Sequence, residues 1–252
     1  MLLNQIGEYW NDRAEGYSKT IHEQMANDTI RNYELLIRRI QPRGEGLNCL
    51  DIGCGPGFFS ILLSKMGHQV TSFDYAGEML EKTRANMLEA GFEPHTVQGD
   101  AQDLPFEDDT FDMIVTRDCM WCLEHPDKAY AEWLRVLKPG GRLLNSDGNY
   151  YLYHCDESYK KERALREARA RKEGTRVTHD TYGVDPSRID NIAKELPLSR
   201  IRRPEWDCEE MGKLGFVNIR LQTSHHVFTD PDTKESCLHT DRFEIWGEKP
   251  GC

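Results

Sequence analysis

Asn48-Cys49-Leu50-Asp51-Ile52-Gly53-Cys54-Gly55-Pro56-Gly57-Phe58-Phe59 is the stretch on which the fold turns. An apolar run over Asn48–Ile52 predicts a buried strand. Three glycines in five positions then predict a tight turn, and Phe58 to Met66 reads as a helix ended by Gly67. Strand, glycine turn and helix in that order let a ligand approach the backbone where side chains are missing. A dinucleotide site would place its third glycine one position later, where Phe58 stands, and Asp51 would set a negative charge beside a pyrophosphate. The pattern therefore argues against NAD.

Outward from this turn, strand and helix signals alternate over residues 46–150. Strands are expected at Gln69–Phe73, His95–Gln98, Phe111–Thr116 and Arg142–Ser146. Helices are expected at Gly77–Ala90 and Pro126–Leu137, which indicates a parallel sheet with crossover helices. Residues 1–45 form an N-terminal helical cap. Within it, residues 1–20 are an aromatic-rich lead-in too polar for the core, followed by a helix carrying Met25, Ile30, Tyr33, Ile37 and Ile40 and stopped by Pro42. Residues 151–206 differ in composition, with 13 basic and 10 acidic side chains in a chain whose net charge is −11. They are read as a lid insertion whose charged helix, Asp156–Glu173, carries the pairs Glu157–Lys161, Glu162–Arg166 and Glu167–Arg171. Residues 207–252 return to the sheet through a helix Glu205–Leu214 and strands Phe216–Leu221 and Arg242–Gly247, so residues 1–252 are read as one domain.

The acidic balance disfavours nucleic acid as a partner. No apolar run is long enough to span a membrane, and Met1–Trp10 lacks the basic start of a secretory signal, so a cytoplasmic setting is expected. Eight cysteines without a repeated framework read as free thiols. The sequence leaves the oligomeric state open.

S-adenosylmethionine has no phosphate and carries a sulfonium and an ammonium, so an acidic residue at the loop entrance is favourable to it. Asp74, at the end of the second strand, stands where a ribose diol can be chelated. With Gly99-Asp100-Ala101-Gln102-Asp103-Leu104-Pro105-Phe106, Phe111-Asp112 and Leu134-Arg135-Val136-Leu137-Lys138-Pro139-Gly140-Gly141 following in order, residues 46–150 resemble the class I S-adenosylmethionine-dependent methyltransferases of the small-molecule type. The resemblance implies an α/β, Rossmann-like seven-stranded mixed sheet with helices on both faces and the last strand antiparallel, here with a helical lid. It implies S-adenosyl-L-methionine as cofactor, Asp100 at the adenine amine, and Trp10 and Tyr17 over the methionine end. Ordinary aromatic packing is the other reading of that pair. Asp51, Gly53, Cys54, Gly55, Gly57, Asp74, Tyr75, Met79, Ala101, Gln102 and Arg117 complete the expected cofactor set.

Methyl transfer from a sulfonium needs alignment and exclusion of water more than a base. Tyr9, Arg13, Trp121, Tyr150, Tyr151 and Tyr153 form the expected acceptor-binding set. Asp118, Asp147 and His154 are the proton acceptors at the strand ends, each equally readable as structural. Arg163, Arg166, Arg188 and Arg203 of the lid point to a small, anionic acceptor. Cys119 and Cys122, with His125, have metal-ligand spacing but no second paired cluster, so they are read as buried thiols and no metal is assigned. Two alternatives stay open: a thiol or metalloid methyltransferase using Cys119 and Cys122, and a non-catalytic cofactor-binding subunit.

Overall fold

The protein was analysed as a computed structural model that describes residues 2–174 and 181–251. Cys252 and residues 175–180 of the expected lid lie outside the described residues. Strands β1 (Asn48–Ile52), β2 (Gln69–Asp74), β3 (His95–Gln98), β4 (Phe111–Arg117), β5 (Leu137–Asp147), β6 (Val217–Thr229) and β7 (Ser236–Glu248) form one sheet in the order β3-β2-β1-β4-β5-β7-β6. The first five are parallel, and β7 enters antiparallel between β5 and β6. The expected seven-stranded mixed sheet is therefore present.

Helices α1 (Leu2–Met25), α2 (Asp28–Ile40), α3 (Phe58–Lys65), α4 (Gly77–Glu89), α5 (Pro126–Val136), α6 (Glu157–Glu173), α7 (Pro186–Ala193) and α8 (Glu205–Leu214) cover the sheet and its carboxyl edge. Period-two alternation splits the apolar side chains between two faces. Leu50, Ile52, Ile114 and Leu143 pack with Tyr130 and Trp133 of α5 and Met211 of α8. Cys49, Met113, Val115 and Leu144 pack with Ile37 and Ile40 of α2 and Phe59 and Leu62 of α3. No described helix is long and apolar enough to cross a membrane.

Four sequence-based expectations are corrected. The lead-in is a full helix: Ile6 and Tyr9 of α1 bury against α7, Ala14 against Met79 of α4 and Ile21 against α2 and α3, on a face that polar neighbours dilute in sequence. Asn27 then caps α2, its side chain accepting from Thr29 N–H, so the single expected helix is two. Strand β5 starts at Leu137, since Leu137 pairs with Phe111 and Gly140 and Gly141 bond Lys249. Finally, β6 and β7 run on as a ribbon past Leu221 and before Arg242, through polar residues that show no apolar alternation.

The lid helix also pairs differently. Among the expected pairs only Glu162–Arg166 is seen, at 4.0 Å. Lys161 instead reaches Asp230 and Asp232 at the ribbon tip at 2.6 and 2.9 Å. Glu167 takes Arg163, and Glu157 takes Lys160. Helix α6 is thus fastened to the ribbon and α7 to α1.

Arg203 contradicts the expectation that it serves an acceptor. Fully buried, it donates to Asp147 Oδ2 at 2.6 Å and grips Asp207 through Nε and Nη2 at 2.8 and 2.7 Å. Tyr130 OH donates to Asp207 at 2.6 Å, and Asn145 Nδ2 to Tyr130 at 2.8 Å. Removing one partner of such a cluster strands a buried charge. Arg203→Leu is expected to lower the unfolding free energy by about 3–5 kcal/mol in urea titrations; a loss within about 1 kcal/mol would show that the two carboxylates find other partners.

Candidate active site

The carboxyl ends of β1, β2 and β4 converge on the glycine turn. Gly53 and Gly55 have φ of +64° and +52°, the left-handed region that glycine occupies without strain. A Cβ on Gly53 would lie 2.5 Å from Cys119 Sγ, so that position also permits close packing of two loops. The Gly55 N–H donates to Asp74 Oδ2 and the Ala76 N–H to Oδ1, both at 2.9 Å. These bonds hold the carboxylate at the mouth of the turn, while burial lifts its pKa to about 6.

Gly53, Gly55, Asp74, Tyr75, Met79, Asp100 and Ala101 line a cavity under α1, joined by Trp10, Tyr17 and Arg117. Its volume is about 80 Å³, below the roughly 300 Å³ at the low end for small-molecule sites. The start of α1, through Leu3, Ile6 and Gly7, closes it. Asp100 accepts from the backbone and side-chain nitrogens of Gln102 at 2.9 and 2.8 Å. Gln102, Cys54 and Gly57 of the expected set are not among the residues that line the cavity.

Asp51 departs from its expected place. It is buried beneath the turn, accepts from Ser60 Oγ at 2.7 Å, and is raised to about 7 by burial. It faces the α3 side rather than the cavity. Cys119 and Cys122 do line the cavity, but Cys122 Sγ donates to the Cys119 carbonyl, and contact with Cys122 together with burial pushes the Cys119 thiol well up. Among the described residues these thiols and His125 form no metal-ligand group.

A second, larger cleft of about 1280 Å³ opens on the other side of Trp10, Tyr17, Arg117 and Asp118. Tyr9, Arg13, Trp121, Tyr150, Tyr151 and Tyr153 all line it. Trp121 and Tyr151 stack with centroids 4.9 Å apart, giving a flat aromatic wall. Arg13 is only 5% exposed, yet its Nη1 has no hydrogen-bond partner, and the same holds for Nη1 of Arg117. Arg117 packs 4.3 Å over the Phe58 ring. Arg163 and Arg166 reach the cleft rim, whereas Arg188 pairs with Asp12 at 2.6 Å.

The three expected proton acceptors separate. Asp118 lies on the shared wall, held by Arg242 at 2.7 Å, Arg117 at 3.3 Å and the Tyr150 hydroxyl. Burial would raise its carboxyl, but Arg242 and Arg117 outweigh it and keep the group below the usual range, which disfavours a base. Asp147 is fully buried in the Arg203 cluster and accepts from Trp121 N–H at 2.9 Å, with burial lifting it to about 6. His154 stands off the cleft, its Nε2 3.2 Å from Asp190 without hydrogen-bond geometry, and burial lowers its pKa. Neither Asp147 nor His154 is placed to take a proton from an acceptor. Arg242 and the trio Glu162, His226 and His239 escaped sequence reasoning. They lie on the ribbon and α6, far apart in sequence, with no motif spacing to mark them.

Residues 50–145 match the methyltransferase domain family. The ubiquinone/menaquinone biosynthesis C-methyltransferase of Vibrio vulnificus is 39% identical over 105 residues, covering 39% of this chain and 40% of its own length. The ubiquinone biosynthesis O-methyltransferase of Xanthomonas axonopodis pv. citri is 34% identical over 148 residues, 57% of this chain and 58% of its own. The chain thus spans about half the length of the curated relatives it matches, between 40% and 58% for these two. Among solved structures, the phosphoethanolamine N-methyltransferase 2 of Haemonchus contortus in complex with S-adenosyl-L-methionine superposes with a TM-score of 0.55 at 20% identity, covering 87% of this chain and 52% of that one. That likeness concerns the fold alone.

Asp74 can accept two ribose hydroxyls only when ionised. Calorimetric affinity for S-adenosylmethionine is therefore expected to fall as the pH drops through about 6. Asp74→Asn should flatten that profile and cost about 1–3 kcal/mol near neutrality. Equal affinities for the two proteins would remove Asp74 from the ribose.

Proposed function

We propose that this chain, whose residues 50–145 make it a member of the class I S-adenosylmethionine-dependent methyltransferases, moves the methyl group to a small anionic acceptor with a flat apolar body. The observation that carries this reading is that Trp10, Tyr17, Arg117 and Asp118 line both cavities, so a sulfonium in one would face an acceptor in the other. The reaction is an in-line displacement: the acceptor lone pair attacks the methyl carbon, and the C–S bond electrons return to sulfur as S-adenosylhomocysteine leaves. The protein's part is alignment and exclusion of water.

Trp10 and Tyr17, with ring centroids 5.6 Å apart, offer π faces to the sulfonium. Asp74 holds the ribose, and Asp100 takes the adenine amine. The start of α1 shifts to admit the cofactor, since the closed cavity is too small for it. In the cleft, Trp121 and Tyr151 take the flat face of the acceptor. Arg13 and Arg117 of the cleft lining, each with a buried Nη1 that has no partner, supply the positive charge for its anion. The names of the Vibrio and Xanthomonas relatives concern quinone biosynthesis, in keeping with a ring-bearing acceptor. Asp118 serves here as the anchor that orients Arg117, Arg242 and Tyr150.

The thiol or metalloid alternative is not favoured. Cys119 and Cys122 line the smaller cavity and not the larger cleft, and with His125 they form no metal-ligand group among the described residues.

A panel of small aromatic carboxylic acids, screened with methyl-labelled S-adenosylmethionine, tests the reading. Arg13→Ala is expected to lower kcat/KM for the best acceptor about 10–100-fold, as loss of a charged hydrogen bond implies, while leaving cofactor affinity intact. Undiminished turnover in that variant, or transfer only to neutral acceptors, would overturn the anionic assignment.

A further inference from the structure

We propose that Glu162 of α6, His226 of β6 and His239 of β7 form a binding site for a divalent transition metal of the zinc class, set in the wall of the larger cleft. The inference stands independently of the methyl-transfer reading.

One ligand atom from each of the three side chains lies within 4.8 Å of the other two. His226 and His239 are directly opposed residues of the ribbon, so their rings leave the same face of it. The α6 carboxylate sits between them: His226 Nε2 is 2.6 Å from Glu162 Oε1, and His239 Nδ1 hydrogen-bonds Oε2. Two imidazoles and one carboxylate are the protein donor set of catalytic zinc sites, which leave the fourth position to water or substrate, and of facial-triad iron sites.

The nitrogens not used toward Glu162 are the second observation. His226 Nδ1 lies 2.9 Å from Asp241 Oδ2, and His239 Nε2 lies 3.0 Å from Ser158 Oγ. A ring whose far nitrogen is fixed by a carboxylate or hydroxyl is the usual surrounding of a metal-bound histidine, because the contact sets tautomer and direction. Around His239 the packing is apolar and close: Tyr159 stacks on it at 3.9 Å and Phe228 at 5.3 Å. The ring is 1% exposed and held in place before any ion arrives.

Glu162 and His226 line the cleft, so coordination positions not filled by the protein face it. An ion there would tie α6 to the ribbon and present a Lewis-acidic face to an oxygen or nitrogen of a cleft ligand. The metal-free reading, a carboxylate bridging two imidazoles, accounts for the short contacts. In that reading His226 is an imidazolium between Glu162 and Asp241; an ion would replace the protons on the Glu162 side and keep the Asp241 and Ser158 contacts as its outer partners.

Untagged full-length protein, exchanged against chelator and then loaded with zinc chloride or cobalt chloride, is the test. After desalting, elemental analysis is expected to find one equivalent of zinc, and the cobalt form a visible d–d band. His226→Ala, at a half-exposed position that the fold tolerates, should abolish both with an unchanged circular dichroism spectrum. Asp241→Asn should weaken zinc about 10–100-fold, as loss of an outer partner does. Cys119→Ser with Cys122→Ser should retain the full equivalent. No bound metal in the wild type, full binding in His226→Ala, or loss of binding in the double cysteine variant would each overturn the proposal.

Discussion

The buried guanidinium of Arg203 is the constraint around which the catalytic edge is assembled. It arrives from the end of the lid and meets Asp147 at the tip of β5 and Asp207 in the first turn of α8. Through Asp207 it reaches Tyr130 of α5, through Asp147 the backbone of Trp121, and it lies 4.9 Å over the ring of Phe243. Asn149 closes the ring of contacts, exchanging two hydrogen bonds with the Arg203 backbone. A charge taken out of water is tolerated only when every neighbour is in place, so the cluster makes one arrangement of these six segments far more favourable than its rivals. The Trp121 wall of the cleft is a by-product of that arrangement.

Two further fastenings place the covers over the strand ends. Ile189, Ile192 and Leu196 bury against Ile6 and Tyr9, so α7 holds α1 across the cofactor cavity. Burying such side chains is worth about 1.5–3 kcal/mol each. On the opposite side α6 is held to the ribbon by ions and imidazoles instead: Lys161 with Asp230 and Asp232, and Glu162 with His226 and His239. Partly exposed ionic contacts are individually weak and screened by salt. One cover is therefore anchored by apolar area and the other by charge.

Charge also divides the two cavities. Asp118, with φ of +57°, turns the chain at the end of β4 so that its carboxylate faces Arg117 and Arg242 rather than solvent. The wall between the cavities is thus a packed ion cluster flanked by Trp10 and Tyr17. Arg13 and Arg117, both of the cleft lining, each keep a buried Nη1 without a hydrogen-bond partner.

The core sheet was legible because local patterns and burial agree there. Asn48–Ile52 and the glycine turn carry strand and turn in consecutive residues, Asp74 ends the next strand, and the spacing of apolar positions set the crossover helices. Asp51 reads in sequence as an acid at the loop entrance, but Ser60 of α3, packed beneath the turn, captures its carboxylate. The roles of Asp147, His154 and Arg203 depended on side chains that meet only after folding, Arg203 with Asp147 and His154 beside Asp190, which periodicity does not encode. The ribbon and its histidines were hidden for a related reason: their pairing comes from β7 and α6, while their own residues alternate no apolar face. Sequence by itself determined the core sheet and the glycine turn, because those rest on short-range backbone geometry. Tertiary structure decided which charges are buried, which are bonded and which remain free for an acceptor or an ion, because desolvation and pairing exist only once distant segments are packed together.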